Sequence, residues 1–178
     1  MLVSVIAPIG IGFFSYLFLF SGWHKLCELN AFTRSISDYE LAPASWSPAL
    51  ARGLMVTEFA LGLGLLIALT RTPALILSVA LLSVYTLAIA INIFRGRRDL
   101  NCGCSGPGGE QPIGDWLLGR NLLIIALGIF SMTVLVDQHQ AVLWQLTLPG
   151  AVITILLYHI FNQLHANRTL LLRIKTHG

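Results

Sequence analysis

The chain has 178 residues, of which 56% are apolar and only 11% are charged. A soluble globular domain carries roughly 25% charged residues. With fewer than half that share and a mean hydropathy of +0.77, this chain has too little polar surface to be a water-soluble globular protein. The net charge of +3 is small, and no basic stripe is interleaved with aromatic residues. We therefore predict contact with lipid headgroups and no nucleic-acid binding.

Five apolar stretches are long enough to cross a bilayer as helices, since a span needs about 20 mostly apolar residues. The first contains no Lys or Arg and exceeds the apolar region of a signal peptide, so we interpret it as a retained helix. Pro73 suits the first turn of a helix, so the second and third stretches are predicted to form a hairpin. The five stretches cover residues 3–22, 53–70, 74–94, 116–136 and 141–161.

The predicted fold class is an all-α integral membrane protein, a bundle of four core transmembrane helices plus a fifth C-terminal helix. Residues 1–136 would form the four-helix membrane domain, and residues 137–178 the fifth helix and a basic tail. Pro149 and Gly150 lie inside the fifth stretch, which also fits a kinked or partly interfacial segment. Residues 24–52 are predicted to be a polar connection, and residues 137–140 a short polar turn.

The alternation of helix direction brings most polar groups to one face of the membrane. The first and third helices end on this face, and the second and fourth begin there. Glu58 would lie five residues into its helix, or about 7–8 Å from that end. The polar residues on this face are Lys25, Cys27, Glu58, Asn92, Arg95, Arg97, Arg98, Cys102, Cys104, Arg120 and Asn121.

The most chemically suggestive feature is the sequence Cys102-Gly103-Cys104, in a glycine-rich loop after the third helix. Cysteines two apart can place their Cα atoms within the disulfide range of roughly 4.4–6.8 Å, and Gly103 has no side chain to crowd the ring. A ring this small is strained, and strained disulfides exchange readily. Nearby arginines would favour the thiolate, so the loop indicates a thiol–disulfide exchange centre.

Two other interpretations of the cysteines stay open. They could be small loop residues or a stapling disulfide, although closing a one-residue ring removes little chain entropy. They could also bind zinc or copper(I), which would require Cys27 and His24 to join the pair. Their spacing matches no zinc motif.

Glu58 is the only carboxylate well inside a predicted helix. An ionisable side chain at membrane depth normally faces the bundle interior and has a partner, and Lys25 and Arg120 are the candidates. The pair could be structural. Alternatively, Glu58 could exchange protons with the thiols or orient Arg120.

The run from Asn92 to Gly106 reads NIFRGRRDLNCGCSG and is followed by Arg120 and Asn121. This order resembles the signature of the MauE family, methylamine-utilisation membrane proteins grouped with DoxX-like redox-associated proteins. The resemblance covers about residues 10–136. Ser105 departs from the family pattern, which has an aromatic residue after the second cysteine.

Three residues outside that run also match the family pattern, namely Lys25, Tyr39 and Glu58. The resemblance implies a multi-pass protein of the bacterial inner membrane that works beside MauD, a thioredoxin-like protein. The implied substrate is a periplasmic disulfide-rich protein such as the small subunit of methylamine dehydrogenase. A membrane quinone is a possible cofactor, and whether electrons pass onward to it stays open, because no residue pattern marks a quinone pocket.

The leading hypothesis is that the loop cysteines alternate between dithiol and disulfide while arginines stabilise the thiolate and Cys27 acts as a third thiol. The alternatives are a membrane scaffold without enzymatic activity and a metal-handling membrane protein. We assign the centre of the candidate site to Cys102, Cys104, Glu58 and Arg120. The supporting residues are Cys27, Lys25, Tyr39, Asn92, Arg95, Arg97, Arg98 and Asn121. No metal is assigned to this site.

Charge and redox chemistry predict opposite orientations of the cysteine loop. Every Lys and Arg except Arg71 falls on the face that carries the loop, and the positive-inside rule turns that face towards the cytoplasm. Lasting protein disulfides belong outside the cytoplasm.

Overall fold

A computed structural model of the chain describes residues 2–100, 113–135 and 144–177. All regular secondary structure within those residues is helical, and the described residues of the five predicted apolar stretches lie in helices, except residues 67–70. The helices are α1 (Leu2–Cys27), α2 (Leu29–Asp38), a short 3-10 helix (Ala44–Trp46), α3 (Ser47–Leu66), α4 (Arg71–Phe94), α5 (Asp115–Leu135) and α6 (Trp144–His177).

Three segments of the described residues are long and apolar enough to cross a membrane: Ala44–Leu66, Arg71–Phe94 and Asp115–Thr133. A shorter apolar stretch, Pro149–Leu164, lies in α6. The 26 residues of α1 extend about 39 Å, more than the hydrocarbon core of roughly 30 Å. Together with the hydropathy of the chain, these helices confirm the expected all-α membrane protein.

The predicted connection at residues 24–52 is largely helical, so that prediction was wrong. The first helix continues past Gly22, and α2 follows it after the single residue Glu28. Helical hydrogen bonds cross this junction, from Glu28 N to His24 O at 2.9 Å and from Phe32 N to Glu28 O at 3.0 Å. Apolar residues occupy only one face of α2, where Phe32 is buried, so a search for continuous apolar runs does not detect it.

The first residues of α3 and α4 also differ from the expected ones. Pro48 occupies the first turn of α3, where its missing N–H costs nothing, and the helix therefore begins six residues before the predicted residue 53. The fourth helix begins at Arg71, so residues 67–70 form the link of the hairpin. The predicted basic tail belongs to α6, with Pro149 inside that helix, and the predicted turn at residues 137–140 lies outside the described residues.

The first helix is central to the bundle, because it packs against α3, α5 and α6. Fully buried apolar side chains from three helices meet in this core, among them Phe14, Leu65 and Leu75. A close approach of α1 and α3 occurs at Gly62, where an added Cβ would lie 2.7 Å from Cγ of Leu19 and 3.1 Å from its backbone N.

This close approach predicts that Gly62→Ala lowers the free energy of unfolding by about 1–3 kcal/mol, because α1 and α3 must move apart. Gly53→Ala on the same helix is the matched control, since an added Cβ there has no neighbour within 4 Å. The control should be neutral or stabilising by up to about 1 kcal/mol, the helix-propensity difference. Denaturant titration in mixed micelles measures both, and equal effects would contradict the packing described here.

Candidate functional site

Lys25 and Glu58 form a buried ion pair between α1 and α3. The ammonium of Lys25 donates to Oε1 of Glu58 at 2.6 Å and to Oε2 at 2.8 Å, and each side chain is 1% exposed. Lys25 also donates to Oγ of Ser21 at 2.7 Å, and Tyr85 donates its hydroxyl proton to Oε1 of Glu58 at 2.8 Å. Both charges are therefore fully engaged inside the protein.

The pair connects the first four helices at one point. Tyr85 belongs to α4, and Phe32 of α2 places its ring centroid 4.8 Å from Nζ of Lys25. The ring of Tyr85 lies 5.3 Å from the same atom, so two aromatic faces surround the ammonium as cation–π partners.

Glu58 lies farther from the start of its helix than the predicted 7–8 Å. It is the twelfth residue of α3, which begins at Ser47, and so lies about 16–17 Å along the helix axis from that end. Lys25, in contrast, lies in the last turn of α1. Because both side chains are buried, an unpaired charge there is strongly unfavourable, and each member of the pair requires the other.

A second group of contacts holds the two ends of the cysteine loop together. The backbone N–H of Ile113 donates to the carbonyl of Leu100 at 2.9 Å. Arg98 binds Asp115 through two hydrogen bonds of 3.1 and 3.2 Å. We call Arg98, Leu100, Ile113 and Asp115 the loop base. Cys102 and Cys104 lie between its two sides in the sequence and outside the described residues.

The segment after α2 docks beside the loop base. Arg97 donates to Oε1 of Glu40 at 3.1 Å, and its other terminal nitrogen lies 3.0 Å from Oε2. Tyr39 packs against an apolar cluster of Ile89, Ile93, Ile113 and Leu117. The structure thus brings Tyr39, Arg97 and Arg98 to the loop base.

Arg120 is not a partner of Glu58. Its Nε and Nη2 donate to Oδ1 of Asn121 at 3.3 and 3.1 Å, and its Nη1 donates to Oδ1 of Asn162 at 3.3 Å. Its guanidinium carbon lies 5.7 Å from the ring centroid of Tyr158. Within the described part of the chain, no carboxylate forms an ion pair with Arg120. We call Arg120, Asn121, Tyr158 and Asn162 the Arg120 site.

The remaining predicted residues have separate environments. Asn92 is completely buried; its amide donates to Ala88 O at 3.1 Å, whereas its Oδ1 has no hydrogen-bond partner among the described residues. Arg95 is exposed at the end of α4, a position typical of a headgroup contact.

Cys27 is an exposed free thiol at the end of α1. Its assignment as a third thiol stays a prediction. Among the described residues, no group of three His, Cys, Asp or Glu side chains is arranged to hold a metal ion.

Sequence reasoning did not single out Ser21, Tyr85, Tyr158 and Asn162. Ser21 precedes Lys25 by one helical turn, a spacing that could have indicated the contact. Asn162 directly follows the fifth apolar stretch, which is a weaker signal. Nothing in the sequence pairs Tyr85 with Glu58, because that contact depends on how α3 and α4 face each other.

The chain is similar to proteins of methylamine utilisation. A family model described as "Methylamine utilisation protein MauE" matches residues 3–134. Methylamine utilization protein MauE of Paracoccus denitrificans is 34% identical over 121 residues, 68% of this chain and 65% of that protein. The protein of the same name from Paracoccus versutus is 34% identical over 123 residues, 69% of this chain and 66% of that protein.

A more distant relative is methylamine utilization protein MauE of Methylophilus methylotrophus, which is 28% identical over 111 residues, 62% of this chain and 58% of that protein. The matches therefore span just under two thirds of the length of the two Paracoccus proteins. No solved structure matches the chain.

The buried pair predicts strongly non-additive mutations. Lys25→Met and Glu58→Gln should each lower the free energy of unfolding by about 3–5 kcal/mol, because each leaves an uncompensated buried charge. The double variant should recover most of that loss, since neither charge remains. Denaturant titration in mixed micelles gives the three values.

The control is Asp115→Asn, which breaks an ion pair whose carboxylate side chain is 74% exposed. Its effect should stay below about 1 kcal/mol, because solvent screens exposed pairs. Additive losses in the Lys25/Glu58 double variant would show that the two charges do not depend on each other.

Proposed function

Because the chain belongs to the MauE family, we propose that it takes part in methylamine utilisation as a membrane thiol–disulfide redox protein. It acts through Cys102 and Cys104 and exchanges with a thioredoxin-like, MauD-like partner. The final substrate is a periplasmic disulfide-rich protein such as the small subunit of methylamine dehydrogenase. We place the protein in the bacterial inner membrane as a multi-pass protein.

The observation that carries this proposal is the loop base. A loop that bears two cysteines two residues apart has its ends joined by a backbone hydrogen bond and a two-point Arg98–Asp115 contact. Exchange with another protein requires thiols outside the packed bundle but held to it, because attack on a disulfide sulfur needs access. Joining the loop ends meets the second of these needs, because it attaches both sides of the loop to the bundle.

The exchange proceeds in two balanced steps. The thiolate of one loop cysteine attacks a disulfide sulfur of the partner, which forms a mixed disulfide and releases the partner's other sulfur as a thiolate. The second loop cysteine then attacks the mixed disulfide, which closes the loop disulfide and releases the reduced partner. The loop loses two electrons and two protons, and the partner gains them; the reverse sequence reduces the loop.

The cation best suited to stabilise the loop thiolate is Arg120. Arg97 and Arg98 already pair with Glu40 and Asp115, so much of their charge is compensated. Among the described residues, Arg120 contacts neutral amides and an aromatic ring and pairs with no carboxylate. A cation near a cysteine raises its thiolate fraction and therefore its reactivity.

We assign the Lys25–Glu58 pair a positioning role. Glu58 accepts hydrogen bonds from Lys25 and Tyr85, and proton exchange with a thiol would require those contacts to open. The pair instead fixes α1, α3 and α4 relative to one another, and α4 leads directly into the loop.

The proposal predicts that replacing both loop cysteines abolishes function. In cells that lack their own copy, the Cys102→Ser/Cys104→Ser variant should yield no detectable disulfide-bonded methylamine dehydrogenase small subunit, because no exchangeable pair remains. Ser105→Ala is the matched control in the same loop and should mature the subunit normally. A double variant that keeps full activity would favour the scaffold, and stoichiometric zinc or copper in the purified protein would favour metal handling.

A second prediction concerns the side of the membrane on which the loop lies. In a Cys27→Ser background, a membrane-impermeant maleimide should label the loop from the periplasmic side, and only after reduction. Intact cells and inverted vesicles present the two sides, and mass spectrometry of the loop peptide measures the labelling. Labelling without prior reduction, from the cytoplasmic side, would contradict periplasmic disulfide exchange.

A further inference from the structure

A small cavity lies at the end of α1, where three side chains of chemical interest meet. Its volume is about 200 Å³, and it is lined by Phe20, Trp23, His24, Cys27 and Glu28. Pockets for drug-sized ligands measure roughly 300–1,000 Å³, so this cavity suits a group of the size of a single side chain or aromatic ring. The exchange proposed for the loop cysteines does not use it.

The apolar walls of the cavity are aromatic rings. The ring of Phe20 stacks on that of Tyr16, with 5.6 Å between the centroids, and meets the imidazole of His159 edge-on at 5.5 Å. These two contacts hold the ring of Phe20 in place. The side chain of Trp23 is 60% exposed, so its indole is accessible to a ligand. Such faces attract apolar and aromatic groups.

The polar side of the cavity combines a thiol, an imidazole and a carboxylate. Cys27 is an exposed free thiol and follows His24 by three residues, the spacing of neighbours on a helix surface. Nε2 of His24 lies 3.7 Å from Oε2 of Glu28. The backbone N–H of Glu28 donates to the carbonyl of His24, which holds these residues in register. A nucleophile beside a base that a third group orients is the arrangement that activates cysteines.

We propose that Cys27 is the nucleophile of a second thiol–disulfide exchange site, which takes disulfides that carry an apolar or aromatic group and no negative charge. The site goes beyond the proposed function, since it requires neither loop cysteine. His24 is the base. Glu28 is a positioning residue that orients the imidazole, and its carboxylate repels anionic disulfides.

The exchange at this site balances without a further oxidant. The thiol of Cys27 gives its proton to His24 while its sulfur attacks one sulfur of the disulfide. The sulfur–sulfur bond of the substrate breaks, a mixed disulfide with Cys27 forms, and the other sulfur leaves as a thiolate that takes the proton from the imidazole. The sulfur of Cys27 is oxidised, and the departing sulfur is reduced.

The test uses the full-length protein with Cys102→Ser and Cys104→Ser. The sequence contains three cysteines, so Cys27 is then the one thiol. The probes are dithiodipyridine (aromatic and neutral), dithiobis(nitrobenzoate) (aromatic and dianionic) and hydroxyethyl disulfide (aliphatic and neutral). Mass spectrometry of the mixed disulfide in mixed micelles gives the rate for each probe, and each variant is compared with its parent for the same probe.

Trp23→Ala should slow the reaction with dithiodipyridine by about threefold to tenfold, because a ring contact is lost. Its rate with the aliphatic probe should stay within about twofold of the parent, since that probe has no ring. Trp46→Ala is the matched control, because Trp46 is 62% exposed and does not line the cavity. It should leave all three rates within about twofold of the parent.

The two polar residues have separate signatures. Glu28→Gln should raise the ratio of the dianionic to the neutral aromatic rate by about threefold to tenfold at low salt. Asp38→Asn, which removes an exposed carboxylate at the end of α2, should leave that ratio within about twofold. His24→Ala should slow all three probes by about tenfold to hundredfold at neutral pH, and added imidazole should restore part of the rate, because the base is lost.

Unchanged probe ratios in Trp23→Ala and Glu28→Gln would overturn the proposal. So would a His24→Ala variant that reacts as fast as its parent or that imidazole does not restore. Misfolding changes the rates of all probes together, so the ratios between probes separate it from loss of the site. These results concern Cys27 alone, whereas maturation of the small subunit by the double cysteine variant decides the proposed function.

Discussion

The structure depends on one buried ion pair, in which the charges of Lys25 and Glu58 compensate each other inside the bundle. Ser21 and Tyr85 complete their hydrogen bonds, so neither charge requires water. Because one charge without the other is strongly unfavourable in a lipid environment, the pair specifies how α1 and α3 meet. The hydroxyl of Tyr85 extends the same constraint to α4, and the ring of Phe32 extends it to α2.

This constraint reaches the cysteine loop through α4 and α5. The fourth helix ends at Phe94, just before Arg97 and Arg98, and those two arginines bind carboxylates on the segment after α2 and on α5. The loop base joins Leu100 to Ile113 and Arg98 to Asp115. The packed helices therefore fix the described residues on both sides of the segment that carries the cysteines.

The charged residues of the site contact two kinds of partner in the described part of the chain. Lys25, Arg97 and Arg98 each bind a carboxylate, and each of these contacts joins elements that are distant in sequence. The described contacts of Arg120 are instead with the amide oxygens of Asn121 and Asn162 and with the ring of Tyr158.

The sequence by itself determined the membrane class and the five apolar helices, because a bilayer demands about 20 apolar residues per span. It also determined the family resemblance, because that resemblance depends on the order of the arginines, the cysteines and the Arg120-Asn121 pair along the chain. It also indicated that Glu58 needs a partner. Only the tertiary structure chose Lys25 over Arg120, since that contact joins residues 33 apart in sequence, and only it revealed α2 and the Asn162 contact. Hydropathy records how apolar a stretch is, whereas these features depend on which faces of the helices meet.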